Sequence, residues 1–206
     1  LTTTQEDCKW LQQFQWDNII ERYGKSSADE MAANALFAFP THMEEWDHTK
    51  SQLLIANQHH PIAKITAECQ GIHAKSSSAD ASGGLTRQLY ICKTARVNLT
   101  VNINVSYGLY NGAVGIVKDI VYPAGLGPSD GGFPEFVVVD FPKYTGPPWV
   151  AEHPPWLPVC PVERRLDCQC CTRKNDPLRP GFGTTIHRVQ GQHLVIKCMI
   201  IISYFN

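Results

Sequence analysis

Thr185, His187 and Arg188 set a hydroxyl, an imidazole and a guanidinium within four residues of one another. At a helix start, where unpaired backbone N–H groups already favour anions, such a set makes a grip for phosphate. Thr185 and a neutral His187 can donate to phosphate oxygens, while Arg188 offers a forked cation that suits a phosphate better than a point charge. The bland reading of the same residues is that they cap or pack their own helix, so that folding rather than binding depends on them.

Two further constellations invite chemistry, and neither has the pattern that would deliver it. Cys168 and Cys171 have Cys-x-x-Cys spacing, with Cys170, Cys160 and His153 nearby in sequence. A zinc site of the standard kind needs a second such pair, which is absent, so the expected metal content is none and the thiols read as buried or incidental loop residues. Gly24-Lys25-Ser26, followed by Asp29-Glu30, imitates a phosphate loop and its acidic pair. The position where the earlier glycine must stand is Ile19, and the segment leading in, Asp17 to Tyr23, has a helical and not a strand pattern. A polar helix-to-helix turn is expected instead.

The elements that must position these groups are legible in outline. Trp10, Leu11, Phe14 and Ile20 recur at near-helical spacing and predict a helix closed by Gly24. Leu36-Phe37-Ala38-Phe39 is a short apolar run stopped by Pro40, and Thr41-His42-Met43-Glu44 has the form of a capping box. Met43, Trp46, Leu53 and Leu54 follow at helical intervals, giving strand, turn and helix. A strand is expected around Ile62 to Ala67, and the Ser-, Ala- and Gly-rich stretch Ala74 to Gly84 reads as a flexible connection. From Arg96 the pattern changes to Val97, Leu99, Val101, Ile103, then Asn111-Gly112, Gly115 to Val117, Ile120 to Tyr122 and Phe136 to Val139. Short strands joined by Gly, Pro and Asn turns predict a small antiparallel barrel. A proline-rich exit, Pro142 to Pro161, leads to a second α/β signature over Pro177 to Gln192, and Leu194 to Ile202 has the character of a buried parallel strand.

A chain of 206 residues that is 43% hydrophobic and 18% charged has enough apolar material for one or two packed domains. No apolar run approaches the ~20 residues of a membrane span, and the N-terminus has neither the basic nor the apolar region of a secretory signal. Eight irregularly spaced cysteines in a chain of this size point to a reducing, intracellular compartment. The net charge of −1 excludes a uniformly basic binder, yet residues 1–50 hold 4 basic and 9 acidic residues while residues 161–206 hold 7 and 3. A nucleic-acid footprint would therefore involve the C-terminal part.

Thr185-Ile186-His187-Arg188-Val189-Gln190-Gly191-Gln192 resembles the Thr-Ile-His-Lys-Ser-Gln-Gly segment of Pif/RecD-type superfamily 1 DNA helicases, with Arg188 for the usual lysine and Val189 for the usual small residue. Pro177-Leu178 resembles the family's lead-in, although Pro180-Gly181-Phe182-Gly183 departs from its Ala-rich approach strand. Two more segments agree in the correct order. Leu36 to Leu54 is similar to the family's Leu-Phe-Pro-Thr-Asn segment, with His42 for Asn, and Leu109 to Val117 is similar to its Leu-Val-Asn-Gly-x-x-Gly-x-Val segment. Phe141 to Pro148 further resembles eukaryotic members, including those of Helitron-like mobile elements.

The resemblance implies an α/β fold: a second RecA-like, P-loop NTPase-type motor domain interrupted by a small antiparallel Src-homology-like β-barrel. Residues 1–70 would be the first part of that domain, 71–171 the linker and inserted barrel, and 172–206 the return; residues near 70 and near 172 should then lie close together. The implied protein is an ATP-dependent DNA helicase that moves on single-stranded DNA, with a role in DNA repair and recombination and a nuclear or mitochondrial location. By this resemblance Thr185, His187 and Arg188 contact DNA, and Gln190 and Gly191 face the nucleotide. ATP and Mg2+ would be used only by the full-length form, since the phosphate-loop and acidic-pair segments, in a first RecA-like domain, would lie upstream of Leu1 and the arginine reaching the γ-phosphate beyond Asn206. The isolated chain is expected to bind single-stranded DNA without hydrolysing ATP. The competing expectation is a non-catalytic nucleic-acid or protein interaction module, such as a decayed mobile-element remnant.

Overall fold

The computed structural model describes residues 16–27, 36–128, 133–168, 170–185 and 198–200. Helix α1, Trp16–Tyr23, ends at Gly24 as its sequence predicts. Gly24 has φ +79°, the left-handed conformation that suits a residue after a helix, and its N–H returns to Ile20 O at 2.8 Å. Residues 25–27 are helical again, so Lys25 and Ser26 follow a helix and not a strand, and the imitation phosphate loop lacks its lead-in. Asp29 and Glu30 lie outside the described residues.

Strand β1, Leu36–Phe39, stops at Pro40, and helix α2, His42–Ala56, begins two residues later. The expected capping box is reciprocal. Glu44 N–H donates to Thr41 Oγ1 at 3.3 Å, and Glu44 Oε2 accepts from Thr41 N–H at 3.1 Å and from the Thr41 hydroxyl at 2.8 Å. Thr49 and Leu53 are buried, whereas Met43, Trp46, Leu54 and Ile55 are exposed.

The remaining strands are β2 Ala63–Thr66, β3 Glu68–Gln70, β4 Gln88–Ile91, β5 Arg96–Leu99, β6 Val114–Val121, β7 Phe136–Asp140, β8 Trp156–Val159, β9 Val162–Arg165, β10 Thr172–Asn175, β11 Leu178–Pro180, β12 Gly183–Thr185 and β13 Cys198–Ile200. They fall into two compact units, residues 1–46 with 183–206, and residues 47–182. In the first unit β1 lies between β12 and β13 and runs parallel to both. Phe37, Ala38 and Phe39 pair with Gly183, Thr184 and Thr185; Leu36, Phe37 and Ala38 pair with Cys198, Met199 and Ile200. A strand therefore does form ahead of the Thr-Ile-His-Arg segment, despite its glycines, and the parallel strand expected within Leu194–Ile202 is present over 198–200. Gly183 is needed at its position, because a Cβ there would stand 2.8 Å from the Phe39 ring.

The second unit is built on a five-stranded antiparallel sheet in the order β11-β5-β6-β7-β8. Alternation along these strands sends Val97, Leu99, Val117, Val137, Val139, Leu157, Val159 and Leu178 into one core. Ile65, Leu89 and Ile91 from the β2-β4 pair and Leu53 from α2 complete it. Between Val117 and Asp119 the register shifts, a bulge that lets β6 follow β7 from Ile116 to Val121. The described strands form an open sheet with β8 and β11 at its edges, where the sequence predicts a closed barrel. The proline-rich exit also differs from expectation, since it contains β8, in which Pro158 pairs with Val138. A residue without an N–H is tolerated there because β8 is an edge. For the same reason Pro177-Leu178 leads into edge strand β11, antiparallel to β5, and not into the second α/β signature. The alternation of β5 does not continue past Leu99: residues 100–113 leave the sheet, with a 3-10 turn at Val105–Tyr107, and Ile103 is exposed.

Strands β3, β10 and β9 form a smaller antiparallel sheet. Gln70 pairs with Thr172 across it, so the two points expected to approach each other do so. Both lie inside the second compact unit, residues 47–182. The stretch Ala74 to Gly84 is not a flexible connection. Arg173, fully buried on β10, donates through Nη2 to Ala74 O at 2.5 Å and Ser77 O at 2.8 Å, and through Nη1 to Leu85 O at 2.9 Å. Asn175 Nδ2 holds Thr86 O at 2.7 Å, and Ala74, Ser82 and Leu85 are buried beneath the loop.

Candidate nucleic-acid interface

In an open sheet of parallel strands, the loops that leave the carboxyl ends gather on one side and carry the binding groups. The pairing of Phe39 with Thr185 brings two such ends together. After β1 come Pro40, Thr41 and His42, where Thr41 and His42 are exposed and His42 Nδ1 lies 3.1 Å from Glu45 Oε2. After β12 come Ile186, His187 and Arg188. Thr185 itself is only 3% exposed, so its hydroxyl is not presented to solvent and it serves as the strand's last residue. His187, Arg188, Gln190 and Gly191 lie outside the described residues. The first turn of α2 carries Glu44 and Glu45, and the Glu44 carboxylate already occupies the helix start. The free N–H groups of that terminus are thus partly satisfied from within, and among the described residues just after β1 the exposed groups are the Thr41 hydroxyl and the His42 imidazole.

The second unit carries a separate group that sequence reasoning passed over. Tyr107, Tyr110 and Trp149 are 41%, 40% and 50% exposed, which is unusual for residues that normally bury most of their surface. Tyr107 meets Tyr144 edge to face at 6.2 Å, and Trp149 meets Phe136 in the same way at 5.9 Å. Their loops are locked together. Thr145 N–H donates to Tyr107 O at 3.2 Å, Tyr144 Oη donates to Pro147 O at 3.0 Å, and Gly108, at φ +85°, passes so close to Lys143 O that a Cβ would be 2.5 Å from it. Exposed aromatic rings on rigid loops offer stacking surfaces to unpaired bases, and the exposed Lys143 adds a cation. The signal for them was present in the sequence: large aromatics set among turn residues, as in Tyr107-Gly108 and Tyr144-Thr145-Gly146-Pro147-Pro148-Trp149, have no local partner to bury them.

The basic excess of the C-terminal part is less available than its count suggests. Arg173 is spent on backbone carbonyls inside the protein, and Lys174 pairs with Glu68 at 3.3 Å. Arg164 and Arg165, on β9, remain exposed. Among histidines, His48 is held below its ordinary range by burial, partly offset by a hydrogen bond with the Phe182 backbone. Asp176, between β10 and β11, is buried with no other residue hydrogen-bonded to its carboxylate, and burial, partly offset by its own backbone N–H, pushes it up to about 7.

The cysteines divide in a way the sequence does not predict. Cys168, Cys170 and Cys171 bring their sulfurs within 4.8 Å of one another. Cys160 and His153, the other residues weighed as ligands, are not part of that group, and His153 instead stacks on Trp156 at 3.9 Å. Hydrogen bonds with Cys168 and Cys171 push Cys170 up to about 11, while the bond with Cys170 lowers Cys168.

No family model and no curated protein sequence matches this chain. Its fold is similar to part of several solved Pif1 helicases. The Candida albicans Pif1 helicase superposes with a TM-score of 0.57 at 17% identity, over 78% of this chain and 37% of that one. Bacteroides Pif1 bound to ssDNA gives 0.53 at 15% identity, over 97% and 43%. Bacteroides Pif1 in complex with ADP-AlF3 and ssDNA gives 0.55 at 14% identity, over 99% and 44%. The chain therefore spans less than half the length of each of these helicases, and the likeness is one of fold. Among the described residues, no helix is long and apolar enough to cross a membrane.

Proposed function

We propose that this chain is the second motor region of an ATP-dependent DNA helicase of the Pif/RecD type, and that its ligand is single-stranded DNA. The parallel β12-β1-β13 sheet is then part of the second RecA-like domain, and the antiparallel sheet of residues 47–182 is the small barrel-type insertion. The observation that carries the reading is the parallel pairing of Phe39 with Thr185. It sets the start of the Thr-Ile-His-Arg-Val-Gln-Gly segment beside Pro40-Thr41-His42 at the carboxyl edge of one sheet, where motors of this architecture hold their polymer and nucleotide. Thr185 ends the strand, His187 and Arg188 contact phosphates, and Gln190 and Gly191 face ATP and Mg2+ held chiefly by the first RecA-like domain. The reading carries with it an intracellular, nuclear location.

Binding of the chain to a fluorescent oligothymidylate, followed by anisotropy across a salt series, tests this. Phosphate contacts release counterions, so log affinity should fall with log salt by about 0.7 per phosphate neutralised. Arg188→Glu should weaken binding at least ~10-fold at low salt and flatten the salt slope by about one phosphate contact, with the melting transition nearly unchanged. A folded Arg188→Glu variant that binds as tightly as the parent refutes the DNA-contact assignment.

A further inference from the structure

The turn of the β9-β10 hairpin concentrates thiols where a simple reversal would need none. Leu166 N–H donates to Cys171 O at 3.0 Å and closes the turn, Asp167 N–H ties it to Ala81 O at 3.3 Å, and Leu166 and Cys171 are both 1% exposed. Within this closed frame Cys168 and Cys170 face solvent and Cys171 faces inward, yet all three sulfurs lie within 4.8 Å, with Cys170 and Cys171 at 3.6 Å. Gly71 approaches from the end of β3. With φ +94° it places backbone where a Cβ would stand 2.5 Å from Cys171 Sγ, so the inner sulfur is held from behind by a position that only glycine fills comfortably.

We propose that Cys168, Cys170 and Cys171 form a three-thiolate site for zinc. Four thiolate-type ligands at ~2.3 Å around a tetrahedral zinc lie ~3.8 Å from one another, so the three sulfurs need contract by no more than about 1 Å to share one ion. Thiolates favour zinc over magnesium or calcium, which prefer oxygen. The fourth vertex lies toward the exposed side, where a water or an external thiol completes the coordination. The ion replaces the thiol protons and clamps the turn from which β10 sets out, and β10 carries the Arg173 contacts to residues 74–85. The site thus ties a surface ion to the order of a long connection.

The reduced chain titrated with Co2+ in place of zinc provides the probe, read by the near-ultraviolet sulfur-to-cobalt charge-transfer band. One Co2+ should bind per chain, Zn2+ should displace it, and Zn2+ but not Mg2+ should raise the melting temperature by several degrees. Cys168→Ser and Cys170→Ser, both at exposed positions, should each weaken binding about 10-fold or more, while Cys160→Ser leaves it unchanged. Absence of the charge-transfer band in folded, reduced protein overturns the proposal. So does Co2+ binding that survives Cys168→Ser and Cys170→Ser together, or a chain that takes up no metal and instead closes a disulfide among these three on exposure to air. None of these outcomes bears on DNA binding, so this site and the helicase reading stand or fall separately.

Discussion

Asp176 is a carboxyl placed where a carboxylate is costly. No other residue hydrogen-bonds either oxygen, and burial pushes its pKa from 3.8 to about 7 against the lowering influence of its own backbone N–H; burial first, and the Asp176 charge second, raise Tyr122. A group raised in the folded state adds stability that is fully present below its unfolded pKa and is lost as pH climbs through the folded one. The window here runs from about 4 to about 7, and ionisation across it costs on the order of 4 kcal/mol. Asp176→Asn should therefore melt close to the parent at pH 4.5 and well above it at pH 8. Parallel thermal melts at the two values check this, and equal melting temperatures at pH 8 would mean that the carboxylate has found a partner. His48 acts in the opposite sense: with its pKa lowered by burial, it favours the fold above 6.5 and withdraws that support as pH falls below it.

Helix α2 shows how a short sequence signature translates into one element's stability. Its start is held by the three contacts between Thr41 and Glu44, and such caps are worth about 1 kcal/mol when removed. Thr41→Ala and Glu44→Ala should each lower stability by roughly that amount, and the double variant by somewhat less than their sum, because each single change spares one bond to a backbone N–H and only the hydroxyl-to-carboxylate contact is lost in both. Urea denaturation of the four proteins measures it, and fully additive losses would show two independent contacts. The strands follow a different logic. Proline enters β8 and β11 because each lies at a sheet edge, so the residues that looked like exits and lead-ins are boundary strands of one antiparallel sheet.

At the scale of the whole molecule, order is carried by contacts between distant segments, and Arg173 is the clearest case: its guanidinium reaches carbonyls 88 to 99 residues away. Arg173→Ala leaves those buried acceptors unpaired and should cost roughly 3 kcal/mol or more, with amide hydrogen exchange rising across residues 74–85. Arg173→Lys should recover little, since a single ammonium cannot reproduce the fork, and a loss under about 1 kcal/mol on Arg173→Ala would show that the loop orders itself. The sequence by itself determined what depends on near neighbours: the Gly24 helix end, the β1–Pro40–Thr41 strand, turn and cap, the short apolar strands β6 and β7, and the parallel character of β13. These are set by backbone sterics, capping and periodicity within a few residues. Only the tertiary structure decided that Ala74 to Gly84 is ordered, that Thr49 and not Trp46 faces inward, that Thr185 is buried, and that three thiols converge while Cys160 stands apart. Each of those depends on which strand lies beside which, and the groups that decide it are far apart along the chain.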